Sequence, residues 1–271
     1  MEQMQFKSLS DFVPSAPTFD IFNMTPEQME EHDRQVEEFE KQEDEEHAYH
    51  NFMICGAEKN YLKNVDFKNY VIIDHNMRQT SLKSMAIGMV QEIREGKYTN
   101  FVMLGASGVG KTYTALCILK EVCRMTYSEI RDETSPIMKI KYPTYEIKRW
   151  HTGIYTTSED LNNRLHEAES YSAKLSKDKV IRQYTYCKLL IIDEIGRTSK
   201  KVEKDNLFSI VDKRHQNGLP TIFISNMQKD EFINAMGSAL ADRILASNRF
   251  WTDGSECINM RQRLTSQNRF Y

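Results

Sequence analysis

Gly105-Ala106-Ser107-Gly108-Val109-Gly110-Lys111-Thr112 follows the apolar run Phe101-Val102-Met103-Leu104 and leads into a stretch of helical character that runs to about Arg124. Strand, glycine loop and helix in this order match G-x-x-x-x-G-K-S/T in the context the motif requires. The spacing has a chemical reason. Glycines let backbone N–H groups wrap a row of phosphates, and the helix start adds partial positive charge. Lys111 is placed to reach the β and γ phosphates and Thr112 to offer its hydroxyl to Mg2+. The expected ligand of Gly105, Ala106, Ser107, Gly108, Val109, Gly110, Lys111 and Thr112 is therefore ATP with its magnesium ion.

A second apolar run, Cys187-Lys188-Leu189-Leu190-Ile191-Ile192, ends in Asp193-Glu194 about eighty residues downstream. In a doubly wound sheet ligands sit at the carboxyl ends of strands, which brings both acids to the phosphates. Asp193 is expected to hold the hydrated metal and Glu194 to polarise the attacking water. Glu directly after Asp favours hydrolysis over storage of the nucleotide. At the end of a third run, Pro220-Thr221-Ile222-Phe223-Ile224-Ser225, Asn226 offers an amide that can bridge the water and the γ phosphate.

Working outward, Gly153-Ile154-Tyr155-Thr156-Thr157 reads as a strand before a helix capped near Ser158. Leu82, Met85, Ala86, Met89, Val90 and Ile93 recur at helical spacing, and a helix from about Val202 to Gln216 stops at Asn217-Gly218. Strands alternating with helices imply an α/β fold, a parallel sheet covered by helices on both faces. The segment from Met125 to Trp150 has no periodicity and reads as an insertion at about 125–150.

The 271 residues allow one substantial core. No run of eighteen apolar residues occurs and the N-terminus has no targeting pattern, so the expectation is a cytoplasmic protein with no membrane contact. The five cysteines form no C-x-x-C pair, so neither a disulfide framework nor zinc is expected. Charge is unevenly spread. Between Glu27 and Glu46 eleven acids face only Arg34 and Lys41; Met1–Glu46 carries −11, which leaves +8 on residues 47–271 given the net charge of −3. Thr25-Pro26-Glu27-Gln28 starts a helix expected to reach about Phe52, with only Met29, Val36 and Phe39 as a thin apolar stripe. Residues 1–55 thus read as a short acidic helical arm and 56–271 as the ATPase body, ending in a short lid-like region.

Together these motifs resemble an AAA+ ATPase, a P-loop NTPase, and more narrowly the DnaC-type bacterial or phage replicative helicase loaders and the related IstB-type transposition ATPases. The resemblance spans about Asn60 to Arg263. It rests on Phe67-Lys68-Asn69-Tyr70, the glycine loop, Tyr155-Thr156-Thr157-Ser158-Glu159-Asp160-Leu161, Leu189 to Arg197, Pro220 to Met227, and Ala241-Asp242-Arg243-Ile244. It implies that Asn226 is the first sensor, Arg243 an arginine finger acting on a neighbouring subunit, and Arg261 the second sensor, with Arg263 as competitor. The chain departs from the pattern in the 125–150 insertion and in having Gly237-Ser238-Ala239 where Gly-Glu-Arg is usual. The function implied is ATP-dependent loading of a replicative ring helicase onto single-stranded DNA. In it the arm grips the helicase, the bodies self-assemble into an oligomer, and lysines such as Lys174, Lys177, Lys179, Lys200, Lys201 and Lys204 contact the DNA. Two alternatives stand beside it: an IstB-like helper of DNA transposition, and an accessory module that binds ATP without turnover.

Overall fold

In a computed structural model, described at residues 25–35, 37–38, 42, 52, 55–56, 65–72, 76–133, 152–170, 175–196, 201–245 and 249–253, the body is built on a five-stranded sheet. Its strands are β1 (Asn100–Leu104), β2 (Gly153–Thr157), β3 (Leu189–Asp193), β4 (Thr221–Ser225) and β5 (Arg249–Thr252). All pair in parallel, in the order β2-β3-β4-β1-β5. The α-helices of the body, among the described residues, are α1 (Met77–Arg94), α2 (Lys111–Glu133), α3 (Ser158–Glu167), α4 (Lys177–Tyr186), α5 (Lys201–Gln216), α6 (Lys229–Met236) and α7 (Ser238–Leu245).

Period-two alternation divides the strands between two cores. Phe101 and Met103 of β1, Leu189 and Ile191 of β3, and Ile222 and Ile224 of β4 pack with α1 and α2 on one face. Val102, Leu104, Leu190, Ile192 and Phe223 pack with α3 to α7 on the other. Burial on both faces is why these strands read as unbroken apolar runs. The α1 stripe of Leu82, Ala86, Met89, Val90 and Ile93 is buried as its spacing requires, and the Asn76 side chain caps the helix by accepting from the Arg78 and Gln79 N–H groups.

The chain order fixes where a ligand can bind. From β1 the chain crosses to the far edge at β2, returns through β3 and β4, and only then places β5 on the other side of β1. The carboxyl end of β1 thus lies where connections leave in opposite directions, the position at which open α/β sheets bind ligands.

The molecule departs from the sequence expectations at three places. The helix after the glycine loop does not end near Arg124 but continues to Glu133, so the first part of the 125–150 segment is helix; the rest lies outside the described residues. The β3 strand begins at Leu189, two residues later than its apolar run, because Cys187 caps α4. Phe52 and Cys55 are buried in the core beside α2, and the Cys55 carbonyl accepts the Tyr155 N–H at 2.8 Å, so these residues belong to the body rather than to the arm. Residues 26–35 are helical with the expected reciprocal cap: Thr25 N–H donates to Gln28 Oε1 at 2.9 Å and Gln28 N–H to Thr25 Oγ1 at 3.3 Å. This helix is exposed along most of its length, Met29 included. The thiols of Cys117, Cys123 and Cys187 are pushed up by burial, which keeps them protonated and inert.

Candidate nucleotide site

The glycine loop leaves β1 and enters α2 with Val109 buried beneath it, so the loop is anchored in the core while Ala106 and Ser107 are exposed at its crest. Lys111 is the first residue of α2 and is almost fully buried. Its ammonium donates to the carbonyls of Gly105 and Ala106, both at 2.7 Å, and to Asn226 Oδ1 at 3.1 Å. The cation is thus tied across the loop to the end of β4.

Asp193 closes β3 and is 5% exposed. Its Oδ2 accepts the Thr112 hydroxyl at 2.7 Å and the Tyr155 phenol at 3.2 Å. A hydroxyl and a carboxylate oxygen in contact form a hard, oxygen-only pair suited to Mg2+, which takes few protein ligands and completes its shell with phosphate and water. No group of three His, Cys, Asp or Glu side chains placed to hold a metal ion by themselves occurs among the described residues.

Glu194 has φ +56°, in the left-handed region that a non-glycine residue seldom occupies. The backbone N–H of Glu194 turns back onto Asp193 Oδ1 at 2.7 Å, and the chain then runs to Ile195, whose N–H bonds the Ile224 carbonyl and whose carbonyl accepts the Ser225 hydroxyl at 2.6 Å. The ends of β3 and β4 are therefore laced together, and this rigid frame sustains the unusual backbone at Glu194.

Lys111, Thr112, Asp193 and Asn226 thus meet at the carboxyl ends of β1, β3 and β4, with Glu194 on the adjoining turn. Arg243 does not join them. It lies on α7 with its guanidinium 2.8 Å from Asp212 Oδ1, an ion pair without hydrogen-bond alignment. Asp212 is near the end of α5, whose Arg214 bonds Thr221 at the start of β4 and whose His215 bonds Tyr98 just before β1. Arg243 is therefore at the amino end of the sheet, away from its own glycine loop. Arg261 and Arg263 lie outside the described residues.

Two residues at the site escaped the reading as site residues. Tyr155 stood in a quoted motif, but only the pairing of β2 with β3 puts its phenol on Asp193. Asp253, just past β5, accepts the Ala106 N–H of the glycine loop at 2.5 Å. Nothing in the sequence near Asp253 signals a contact with a residue 147 positions away.

The sequence profile of the family described as Poxvirus A32 protein matches residues 88–234, more than half of the chain and the stretch that holds the glycine loop, Asp193, Glu194 and Asn226. The chain belongs to the Poxvirus A32 protein family. No curated protein matches it. Among solved structures, DnaI superposes with a TM-score of 0.54 at 17% identity over 75% of this chain and 94% of that chain. The DnaC helicase loader gives 0.54 at 18% identity over 72% and 99%. AMPPCP-bound DnaA from Aquifex aeolicus gives 0.51 at 14% over 76% and 55%. The chain spans about half the length of this DnaA and of a DNA replication initiation factor that it also matches. At such identities the likeness is one of fold: this member of the A32 family has the P-loop AAA+ fold.

Proposed function

We propose that this protein is a magnesium-dependent ATPase that loads a replicative ring helicase onto single-stranded DNA. The observation that carries the ATPase reading is the contact of Thr112 with Asp193, with Lys111 and Asn226 joined beside it. In this reading the loop N–H groups and Lys111 bind the phosphates, Thr112 and Asp193 hold the metal, and Asn226 orients the γ phosphate. A metal held there would supply neutralisation of the phosphates' charge. Glu194 takes the proton of the attacking water as its oxygen bonds the γ phosphorus and the bond from that phosphorus to the β–γ bridging oxygen breaks, releasing ADP and phosphate. Tyr155, by donating to Asp193 Oδ2, fixes the orientation of the carboxylate that would hold the metal.

An exposed, capped acidic helix fits a partner-binding arm, and the fold of DnaI and of the DnaC helicase loader supports a helicase as that partner. For DNA, Lys179 and Arg182 stand with Leu175, Gln183 and the half-exposed Tyr186 around a surface hollow of about 400 Å³. Cations beside an exposed ring suit a phosphate backbone with stacked bases. Lys177 is instead engaged by Glu169 at 2.6 Å, which makes it the weaker candidate.

Phosphate release with and without single-stranded DNA, together with co-purification of a ring helicase, tests the proposal. The expected result is turnover stimulated by DNA and a helicase retained by the intact chain. Turnover indifferent to DNA, with no helicase bound, would reduce the reading to an ATPase of another role.

A further inference from the structure

We infer that Asp253 is a positioning residue of the nucleotide site, holding the entry of the glycine loop in its binding shape and joining it to β5. The inference rests on the ATP-binding reading above and adds a residue to that site. Asp253 is 2% exposed although it carries a carboxylate, and a buried carboxylate persists only where donors satisfy it. One donor is the Ala106 N–H, at 2.5 Å from Oδ2; Gln228 Nε2 lies 3.5 Å from Oδ1. A charged acceptor on a backbone N–H is among the stronger hydrogen bonds a protein makes.

The packing is specific to this pair of positions. Gly105 has φ +129°, and a Cβ placed on it would stand 2.2 Å from Asp253 Oδ1. Glycine is thus required here by backbone conformation and by the approach of the carboxylate. The two ends of the Ala106 unit serve different partners: its N–H is held by Asp253, and the preceding and following carbonyls, of Gly105 and Ala106, are held by Lys111. The loop entry is thereby clamped between β5 and α2, and Lys111 keeps the orientation in which it also reaches Asn226.

The clamp has an electrostatic consequence. A carboxylate beside the phosphate loop repels a polyphosphate, and burial of Asp253 leaves that repulsion less screened than at the surface. Asp253 therefore orders the loop through its geometry while opposing the ligand through its charge. The two effects separate by substitution. Asp253→Asn keeps an oxygen that accepts from Ala106 and removes the charge, whereas Asp253→Ala removes both.

The test is the affinity of the full-length chain for a fluorescent ATP analogue, with thermal melting run in parallel and Lys111→Ala as the control without binding. The expected result is Asp253→Asn at least as tight as wild type and Asp253→Ala about tenfold weaker. In turnover the Asp253→Ala loss should fall more heavily on KM than on kcat. Should Asp253→Ala fail to melt cooperatively, Asp253→Ser takes its place, since a serine hydroxyl is too short to reach Ala106. The inference is overturned if the alanine variant binds within twofold of wild type, or if the asparagine variant is weakened to the same extent as the alanine. Equal binding by wild type and Lys111→Ala would instead remove the nucleotide reading itself, a distinguishable failure.

Discussion

Asp66 shows how a single carboxylate fixes the segment ahead of α1 against α2. Burial alone would raise its pKa, yet the Lys68 N–H at 2.9 Å, the Arg124 guanidinium at 2.7 Å and the Lys120 ammonium at 3.4 Å hold it at about 2. In the unfolded chain an aspartate titrates near about 3.9. A group depressed on folding contributes stability that is fully present above the unfolded value and lost as pH falls through the folded one. Asp66→Asn should therefore cost on the order of 2 kcal/mol at pH 7, and the gap from wild type should close between about pH 4 and pH 2. Urea melts at pH 7, 4 and 3 check this; a gap independent of pH would remove the ion pairs as its cause. The same scale shows what was legible. Lys111, Thr112 and Asp193 could be read because their chemistry fixes their spacing within a loop or strand. Asp66, Tyr155 and Asp253 could not, because each acts through a partner brought close only by the fold.

Among the elements, α5 ends in the one arginine of the described residues that is wholly buried, Arg214. Its guanidinium bonds the carbonyls of Tyr184, Thr185, Cys187 and Pro220 and the Thr221 hydroxyl, at 2.6–3.1 Å. It thus gathers the end of α4 and the starts of β3 and β4. Arg214→Met keeps most of the packing volume but leaves these acceptors unpaired, and should cost about 3 kcal/mol or more, read as a lower urea midpoint. Arg214→Lys should recover only part, since an ammonium lacks the planar fork. This clamp explains one limit of the sequence reading: a single Arg in an amphipathic helix looks like a solvated charge. The central strands were legible because burial on both faces leaves apolar runs. The four-residue β5 was missed because only Phe250 and Trp251 interrupt its polar ends. The short α4 was missed because it buries only Val180, Tyr184 and Thr185 of ten residues. The far end of α2 was missed because Thr126, Tyr127 and Ser128 break its apolar spacing.

For the whole molecule, the arm and the subunit contacts carry the predictions. Phe52 and Cys55 are core residues, so a deletion should stop before them. A chain lacking residues 1–41 is expected to fold and bind ATP but to lose at least tenfold in affinity for the helicase by calorimetry; equal affinity would make the arm a solvated tail. Phe19, Ile21, Phe22, Met29 and Val36 are proposed as the arm's anchors in the partner's groove; of these only Met29 lies within the described residues. Arg243, paired with Asp212 at the sheet end away from its own loop, is proposed to act on a neighbour's nucleotide. Arg243→Ala should lower turnover of the assembly on the order of 10³-fold with little change in ATP affinity. Mixing it with Lys111→Ala subunits should restore part of the rate, because an intact loop then meets an intact finger; no recovery in mixed oligomers would exclude trans action. Lys111 is proposed to serve binding and Glu194, on its strained turn beside Asp193, to serve turnover. ATP binding and phosphate release measured side by side on Lys111→Ala and Glu194→Gln test this most directly. Lys111→Ala should bind no detectable ATP, and Glu194→Gln should bind it as wild type does with turnover reduced about 10²-fold or more; hydrolysis by Glu194→Gln at the wild-type rate would exclude Glu194 as the group that activates water.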